Sequence, residues 1–409
     1  MSKSLLMSPL AWISKLAVVA TLAVPAAVAL LPSSGPNAEN RNLAILPARP
    51  ASRADWLALP ASLTVWVDDH FGFRTKMVRL YSQARFKVFG EFPSIQMIKG
   101  QHGRYFLAAH GTNVPPFQAM THVCGQMSVA NPGTIPYMNR MFAGFHRMGL
   151  HPRLLVVPSA PVVYAQDVPA WMMPACSAPQ TPVSAVLASP LLTAEARAAT
   201  FFPLAQMRTI AQSASLWPNT WFHWSGAGLD QVARLSLTEF WQRPLDQAPV
   251  LKTLSVTEKS DVSHLFPGIK LASTFVRPDP AASGIQGCEG ITCYPEIPDV
   301  AKVLDDVSRY DNPAAPPRRL LILSDSFGSK ISPWYSRYYR HVEQMATNGI
   351  ARLTPEQMEQ LRRFAFRDMD NTDFLILYHD GGAMYDILEM GMHRFHETPA
   401  APPVAAGAP

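Results

Sequence analysis

The chain has 409 residues, 48% of them hydrophobic, enough to bury a large core in one big domain or two modest ones and too apolar for disorder throughout. Its formal charge of +5 is spread over dispersed Lys and Arg, so it carries no electrostatic footprint for nucleic acid. The 38 Pro against 22 Gly indicate many rigid, irregular connections rather than a repeat architecture.

The N-terminus reads as a targeting segment. Lys3 and Lys15 precede "LAVVATLAVPAAVALL", and polar "PSSGPNAENRN" follows. Ala27-Val28-Ala29 has the small residues of a cleavage site, while the apolar run from Leu10 to Leu31 approaches the roughly 20 residues that span a bilayer. Residues 1–35 are therefore a signal peptide or an N-terminal membrane anchor, and the rest of the chain is exported. Residues 36–60 read as an extended, Pro-containing leader, 61–395 as the folded domain, and 396–409, "HETPAAPPVAAGAP", as a disordered low-complexity tail.

Within the domain, "RTKMVRLYSQARFKVFG" is an amphipathic helix after a turn, and "IQMIKGQHGRYFL" carries the strand, Gly turn and strand of a hairpin. "YMNRMFAGFHRMGL" predicts a helix ending near Gly149, and "RLLVVPSAP" a buried strand running into a loop. "AEARAATFFPLAQMRTIAQ" is mixed and leads into the loop "SLWPNTWFHWSGAG". After the strand "RRLLIL", helices are expected over "SPWYSRYYRHVEQM" and over "TPEQMEQLRRFAFRDM", the latter with Thr354 as N-cap, and "DFLILYH" is a further strand. Strands alternating with helices imply an α/β sheet with right-handed crossovers.

Export makes the four cysteines legible, because thiols in an oxidising compartment usually pair. Three connectivities are possible. Cys288 and Cys293 in "CEGITC" lie close enough for a local loop, which leaves Cys124 and Cys176 for each other. The rival metal reading lacks a second cysteine pair of zinc-like spacing.

Ser326 follows "LLIL" in the turn Ser324-Asp325-Ser326-Phe327-Gly328, at the carboxyl edge where open α/β sheets gather reactive groups. A serine hydroxyl needs a base within hydrogen-bond reach to act as a nucleophile. Of the twelve histidines, His223 stands out, set among Trp217, Trp221, Phe222 and Trp224 in a loop with one Pro and two Gly. Its bland alternative is a core histidine satisfied by a backbone carbonyl. Asp325 reads as a structural acceptor of turn N–H groups. His379 and Asp380 end a strand and reach Ser326 only if the two strands are neighbours. His393 and His396 have ligand-like spacing without a third partner and read as decoration of a surface helix.

These stretches resemble the SGNH-hydrolase-like O-acetyltransferases of bacterial exopolysaccharide export, the alginate O-acetyltransferase AlgX/AlgJ group. The resemblance rests on "ENRNLAILP", "DDHFGFRTKMVRLYSQARFKVFG", "MIKGQHGRYFL", "LLVVPSAPVVYAQDVPAW", "FHWSGAG" and "LLILSDSFG", six short motifs in the family's order. It implies an α/β, SGNH-hydrolase-like (circularly rearranged) mostly parallel sheet flanked by helices, with the histidine motif ahead of the serine. It further implies Ser326 as nucleophile, His223 as base and backbone N–H groups of the Ser326 turn as oxyanion donors; the sequence carries no nucleotide or metal motif, so no cofactor is expected. A membrane-bound partner would pass acetyl across the bilayer, and the acceptor would be a hydroxyl of a secreted polysaccharide.

Two positions depart from the family pattern. The Gly that leads the nucleophile turn is Ser324, and the Asp of the Asp-x-His-Trp loop is Trp221. In a Ser-His-Asp protease the loss of that carboxylate costs about 10⁴ in kcat. Asn219, four residues before His223, is the candidate replacement acceptor, with a cap on the Pro218 turn as its plain alternative. The sequence therefore supports a periplasmic O-acetyltransferase, with a noncatalytic polysaccharide-binding subunit or an exported carbohydrate esterase as alternatives.

Overall fold

The structure is a computed structural model, which describes residues 9–29, 43–70, 73–125, 132–178, 180–245 and 248–397. The chain divides into two compact units, one of residues 1–94 with 259–271, the other of residues 95–258 with 272–409.

The first unit is helical. Pro9–Ala29, Arg53–His70 and Arg74–Ala84 are helices, and Arg85–Phe89 winds into a single π turn closed by Gly90. Arg53–His70 corrects the expectation of an extended leader to residue 60. Asp55 accepts the Ala51 and Ser52 N–H groups at 3.0 and 2.8 Å, so a carboxylate caps the first turn ahead of an apolar run. Among the described residues no helix is long and apolar enough to cross a membrane. Most of the expected tail, 398–409, lies outside the described residues.

Among the described residues the strands are, in chain order, β1 Met97–Lys99, β2 Tyr105–Leu107, β3 Arg153–Val157, β4 Thr200–Phe201, β5 Thr253–Lys259, β6 Ala272–Pro278, β7 Gln286–Glu289, β8 Val307–Asp311, β9 Arg319–Ser324, β10 His341–Ala346 and β11 Thr372–His379. β1 and β2 form the expected antiparallel hairpin. The main sheet has the order β4-β3-β11-β9-β10-β8-β7, in which β4 to β10 run parallel and β8 and β7 add an antiparallel edge.

The central strands are apolar on both faces because both are covered. Leu320 and Ile322 of β9 enter one hydrophobic cluster, Leu321 and Leu323 the other, and Leu375, Leu377 and Phe374, Ile376 of β11 divide in the same way. The helices Thr134–Arg147 and Pro355–Ala365 form where expected, the second with Thr354 in a capping box with Gln357.

"SPWYSRYYRHVEQM" is not one helix. Gly328–Tyr335 is helical, and His341–Ala346 is β10, paired in parallel with β9. Its polar residues misled the periodicity: Glu343 is buried against Arg319, and Gln344 against Ser324 and Ser308. His396 is likewise buried, its Nε2 3.2 Å from the Tyr137 hydroxyl, with desolvation lowering its pKa to about 4. It packs the helix Asp386–His396 onto Thr134–Arg147 rather than decorating a surface.

Both cysteine pairs are bonded, Cys124 to Cys176 and Cys288 to Cys293. The first closes a sequence separation of 52 and the second one of 5, so the chain-entropy account assigns about 4 kcal/mol to the first and less to the second. Chemical denaturation of Cys124→Ala/Cys176→Ala and Cys288→Ala/Cys293→Ala proteins is expected to show the larger loss in the first. Equal losses would contradict the loop-length account.

Candidate active site

β9 is flanked in parallel by β10 and β11, with Ser324 level with Ala346 and Leu377. The chain segments that leave β3, β11, β9 and β10 therefore meet at one carboxyl edge, and they bring Ser159, His379, Ser326 and Asn348 to a single cavity of about 420 Å³.

Ser324 fits the Ser326 turn through its neighbours. Its Oγ accepts the Gln344 Nε2–H at 3.1 Å, and a Cβ on Gly328 would fall 2.0 Å from that oxygen. Gly328 thus opens the space that the larger residue at 324 needs. Asp325 is 2% exposed and gathers three donors: Phe327 N–H on Oδ1 at 2.9 Å, with the His379 N–H and Nδ1 on Oδ2 at 2.8 and 2.6 Å. It is the turn's structural acceptor, as expected, and it also holds a histidine.

His223 comes from the 215–228 loop, which is tied down by Ser225 N–H to the Leu216 carbonyl at 2.9 Å and Gly228 N–H to the Ser215 carbonyl at 3.0 Å. Gly226 has φ +128, and a Cβ there would meet the Ser215 carbonyl oxygen at 2.5 Å, so this crossing requires glycine. Trp224 Nε1–H donates to the Phe327 carbonyl at 2.8 Å and locks the loop to the Ser326 turn. His223 Nε2 then lies 3.1 Å from Ser326 Oγ. In the tautomer that leaves Nε2 bare, the serine hydroxyl donates to it.

Asn219 is not joined to this pair. It is exposed, its carbonyl accepts the Tyr105 N–H at 2.8 Å, and its side chain makes no hydrogen bond to His223. Trp221 is 8% exposed and packs edge-on against Phe275, with ring centroids 5.2 Å apart. It lines a second hollow of about 440 Å³ with Glu258, Asp306 and Trp334. Asp306 lies within the electrostatic reach of His223; burial raises its pKa, opposed by the Ser329 hydroxyl, Lys330 and His223.

The structure adds three cavity residues to Ser326 and His223. His379 stacks on Phe327 with centroids 5.0 Å apart and planes 14° apart. Burial lowers its pKa, but the Asp325 carboxylate outweighs that and raises it above the usual histidine range. His110 has its ring centroid 6.2 Å from that of His379, and desolvation with the charges of His379 and His122 lowers its pKa to about 4. Asn348 was not singled out, because a lone Asn-Gly after an unrecognised strand reads as a plain turn. Asp380 is buried under the Ser159 hydroxyl and accepts the Ser159 N–H at 3.0 Å and the Gly381 N–H at 2.8 Å.

No protein-family model and no curated protein matches the chain. Solved structures that resemble it include a DHHW family protein from Eubacterium siraeum, at 12% identity and TM-score 0.45, covering 66% of this chain and 91% of that one. Bacillus cereus PatB1 with a sulfonyl adduct has 12% identity and TM-score 0.42, covering 63% and 90%. The O-acetyltransferase domain of Pseudomonas putida AlgJ has 11% identity and TM-score 0.39, covering 70% and 92%. Likeness at this level assigns no residue a role, and the roles proposed below rest on the site itself.

The raised pKa of His379 has a sign. A histidine that binds its proton more tightly in the folded state adds stability that is complete below its unfolded pKa and is lost as pH rises through the folded one. The stability gap between the parent and His379→Gln is therefore expected to narrow from pH 6 towards pH 9, read by denaturant melts. A gap constant across that range would contradict an ionised Asp325–His379 pair.

Proposed function

We propose that the chain is an exported O-acyltransferase that moves acetyl groups to sugar hydroxyls of a secreted polysaccharide through an ester on Ser326. The observation that carries the reading is the 3.1 Å approach of His223 Nε2 to Ser326 Oγ inside a strand-edge cavity. Periplasmic residence is supported by the two disulfides and by the apolar N-terminal run.

Ser326 Oγ attacks the acetyl carbonyl as its proton passes to His223 Nε2. The imidazolium then gives that proton to the departing donor oxygen, which leaves acetyl-Ser326 and neutral His223. In the second half, His223 takes the proton of the sugar hydroxyl while its oxygen attacks the ester. Ser326 Oγ departs and recovers the proton. Donor and acceptor halves use one base and require no redox partner. The acetyl donor in this reading is a membrane-bound protein that delivers the acyl group to the exported face.

A second reading has a specific observation in its favour. Trp221 faces the other hollow and Asn219 stays apart from His223, as a polysaccharide-binding subunit with a relic site would show. An esterase, with water as acceptor, uses the same residues as the transferase.

Incubation with an aryl acetate is expected to add one acetyl group by intact mass to the parent and none to Ser326→Ala, with His223→Ala labelled at least about 10²-fold more slowly. Equal labelling of Ser326→Ala would overturn the covalent site. His223→Ala labelled at the parental rate would favour the binding subunit. Oligosaccharide added to labelled protein then separates transfer from hydrolysis by the fate of the acetyl group.

A further inference from the structure

The turn that carries Ser326 is short of donors for an anion. Phe327 N–H is committed to Asp325 Oδ1 at 2.9 Å and Gly328 N–H to the Asp325 carbonyl at 3.2 Å. The Ser326 N–H remains the turn amide without a partner among the described residues. A tetrahedral acyl adduct places a full negative charge on one oxygen, and sites that stabilise it supply at least two aimed donors.

The wall of the same cavity offers one. The His379 ring is clamped between Phe327 on one side and the Gly381-Gly382 main chain on the other. A Cβ at Gly382 would lie 3.0 Å from Cε1, and one at Gly381 3.1 Å from Nε2. Its Nδ1 is bound by Asp325 at 2.6 Å. Its Nε2 has no hydrogen-bond partner among the described residues and is not among the buried unpartnered atoms, so it opens to the cavity that His379 lines.

We propose that His379 is a catalytic donor of the Ser326 site: with Nδ1–H held by Asp325, its Nε2–H bonds the charged oxygen of the tetrahedral adduct on Ser326, beside the Ser326 N–H. The inference rests on the acyl-transfer reading above. The division of labour follows from the surroundings of the two imidazoles. His223 touches Ser326 and takes its proton, while His379 is bonded to a carboxylate and works as the cationic donor.

The charge on His379 is set by groups from every element packed on it. Asp325 and Asp380 favour the cation, while His110, whose own charge is disfavoured by burial and by His122, competes for it. His223 meets the other side of the stack through Phe327, 5.8 Å from its ring. A donor that must carry its proton, beside a base that must be free to accept one, predicts a bell-shaped rate profile, with the alkaline limb belonging to His379.

The test is the rate of Ser326 acetylation by an aryl acetate, followed against pH in the parent, His379→Gln and Gly381→Ala. The glutamine keeps a neutral donor towards Asp325, and the alanine methyl crowds Nε2 while leaving the imidazole and its carboxylate in place. His379→Gln is expected to lose about 10² in the rate constant with KM little changed, and to lose the alkaline limb. Gly381→Ala is expected to slow acetylation while keeping the pH-dependent stability of the parent. His379→Gln labelled at the parental rate, or slowed with both limbs intact, overturns the proposal and leaves the Asn348 amide as the second donor. Should His379→Gln fail to fold, a parental rate in Gly381→Ala overturns it alone. A parent that never acetylates Ser326 overturns the acyl-transfer reading and this inference with it, whereas a labelled parent beside unaffected variants overturns the inference only.

Discussion

The active edge of the sheet depends on one buried carboxylate. Asp325 accepts from the main chain of its own turn through Phe327 and from the end of the neighbouring strand through both nitrogens of His379 that face it. Each bond to an ionised acceptor is stronger than a neutral one, and the low dielectric around a residue 2% exposed strengthens all three. Losing the carboxylate would free two buried main-chain donors and one imidazole together. The position of Ser326, the residue after Asp325, is therefore set by β11 as much as by the strand that carries it.

A second constraint comes from outside the sheet. His223 stands on an irregular loop, where main-chain mobility is ordinarily greatest, yet it must hold an atom 3.1 Å from Ser326. Two indoles fix it: Trp217 Nε1–H donates to the Phe222 carbonyl at 3.2 Å and Trp224 Nε1–H to the Phe327 carbonyl at 2.8 Å. Both rings are almost fully buried, so the loop is anchored by apolar surface as well as by hydrogen bonds. The abundance of tryptophan around His223 is a device for placing it.

The parts legible in the sequence were those whose signal is local. Ser326 after a continuous apolar strand, the β1–β2 hairpin, the Thr354 cap and the two cysteine pairs each announce themselves within a few residues or through the compartment. The missed parts depend on partners distant in sequence. β10 read as helix because Glu343 and Gln344 looked solvent-facing, and only Arg319, Ser308 and Ser324 make them core residues. Without β10, Asn348 had no strand end to mark it. His379 was correctly placed at a strand terminus, but its contact with Asp325, 54 positions away, follows from strand order, which one sequence does not display. Asn219 illustrates the converse, since closeness along the chain suggested a contact that the path of the loop does not make.

In the proposed reaction, the division between transfer and hydrolysis is set by what surrounds the ester rather than by the base. A sugar hydroxyl and water would lose their proton to the same His223 nitrogen, so a transferase must keep water scarce while the ester waits. The cavity walls supply Phe106, Leu107, Ala119, Ile350 and Ile387 around the few polar groups, a largely apolar lining that gives water few partners. A sugar arriving there brings its own hydroxyls to the sparse donors and acceptors and covers apolar wall with its ring. Binding an acceptor and excluding water are then one event. The polar groups of the cavity are concentrated at Ser326, His223 and His379, so in the proposed reaction an acceptor that fills the cavity would be oriented by the residues beside the new bond.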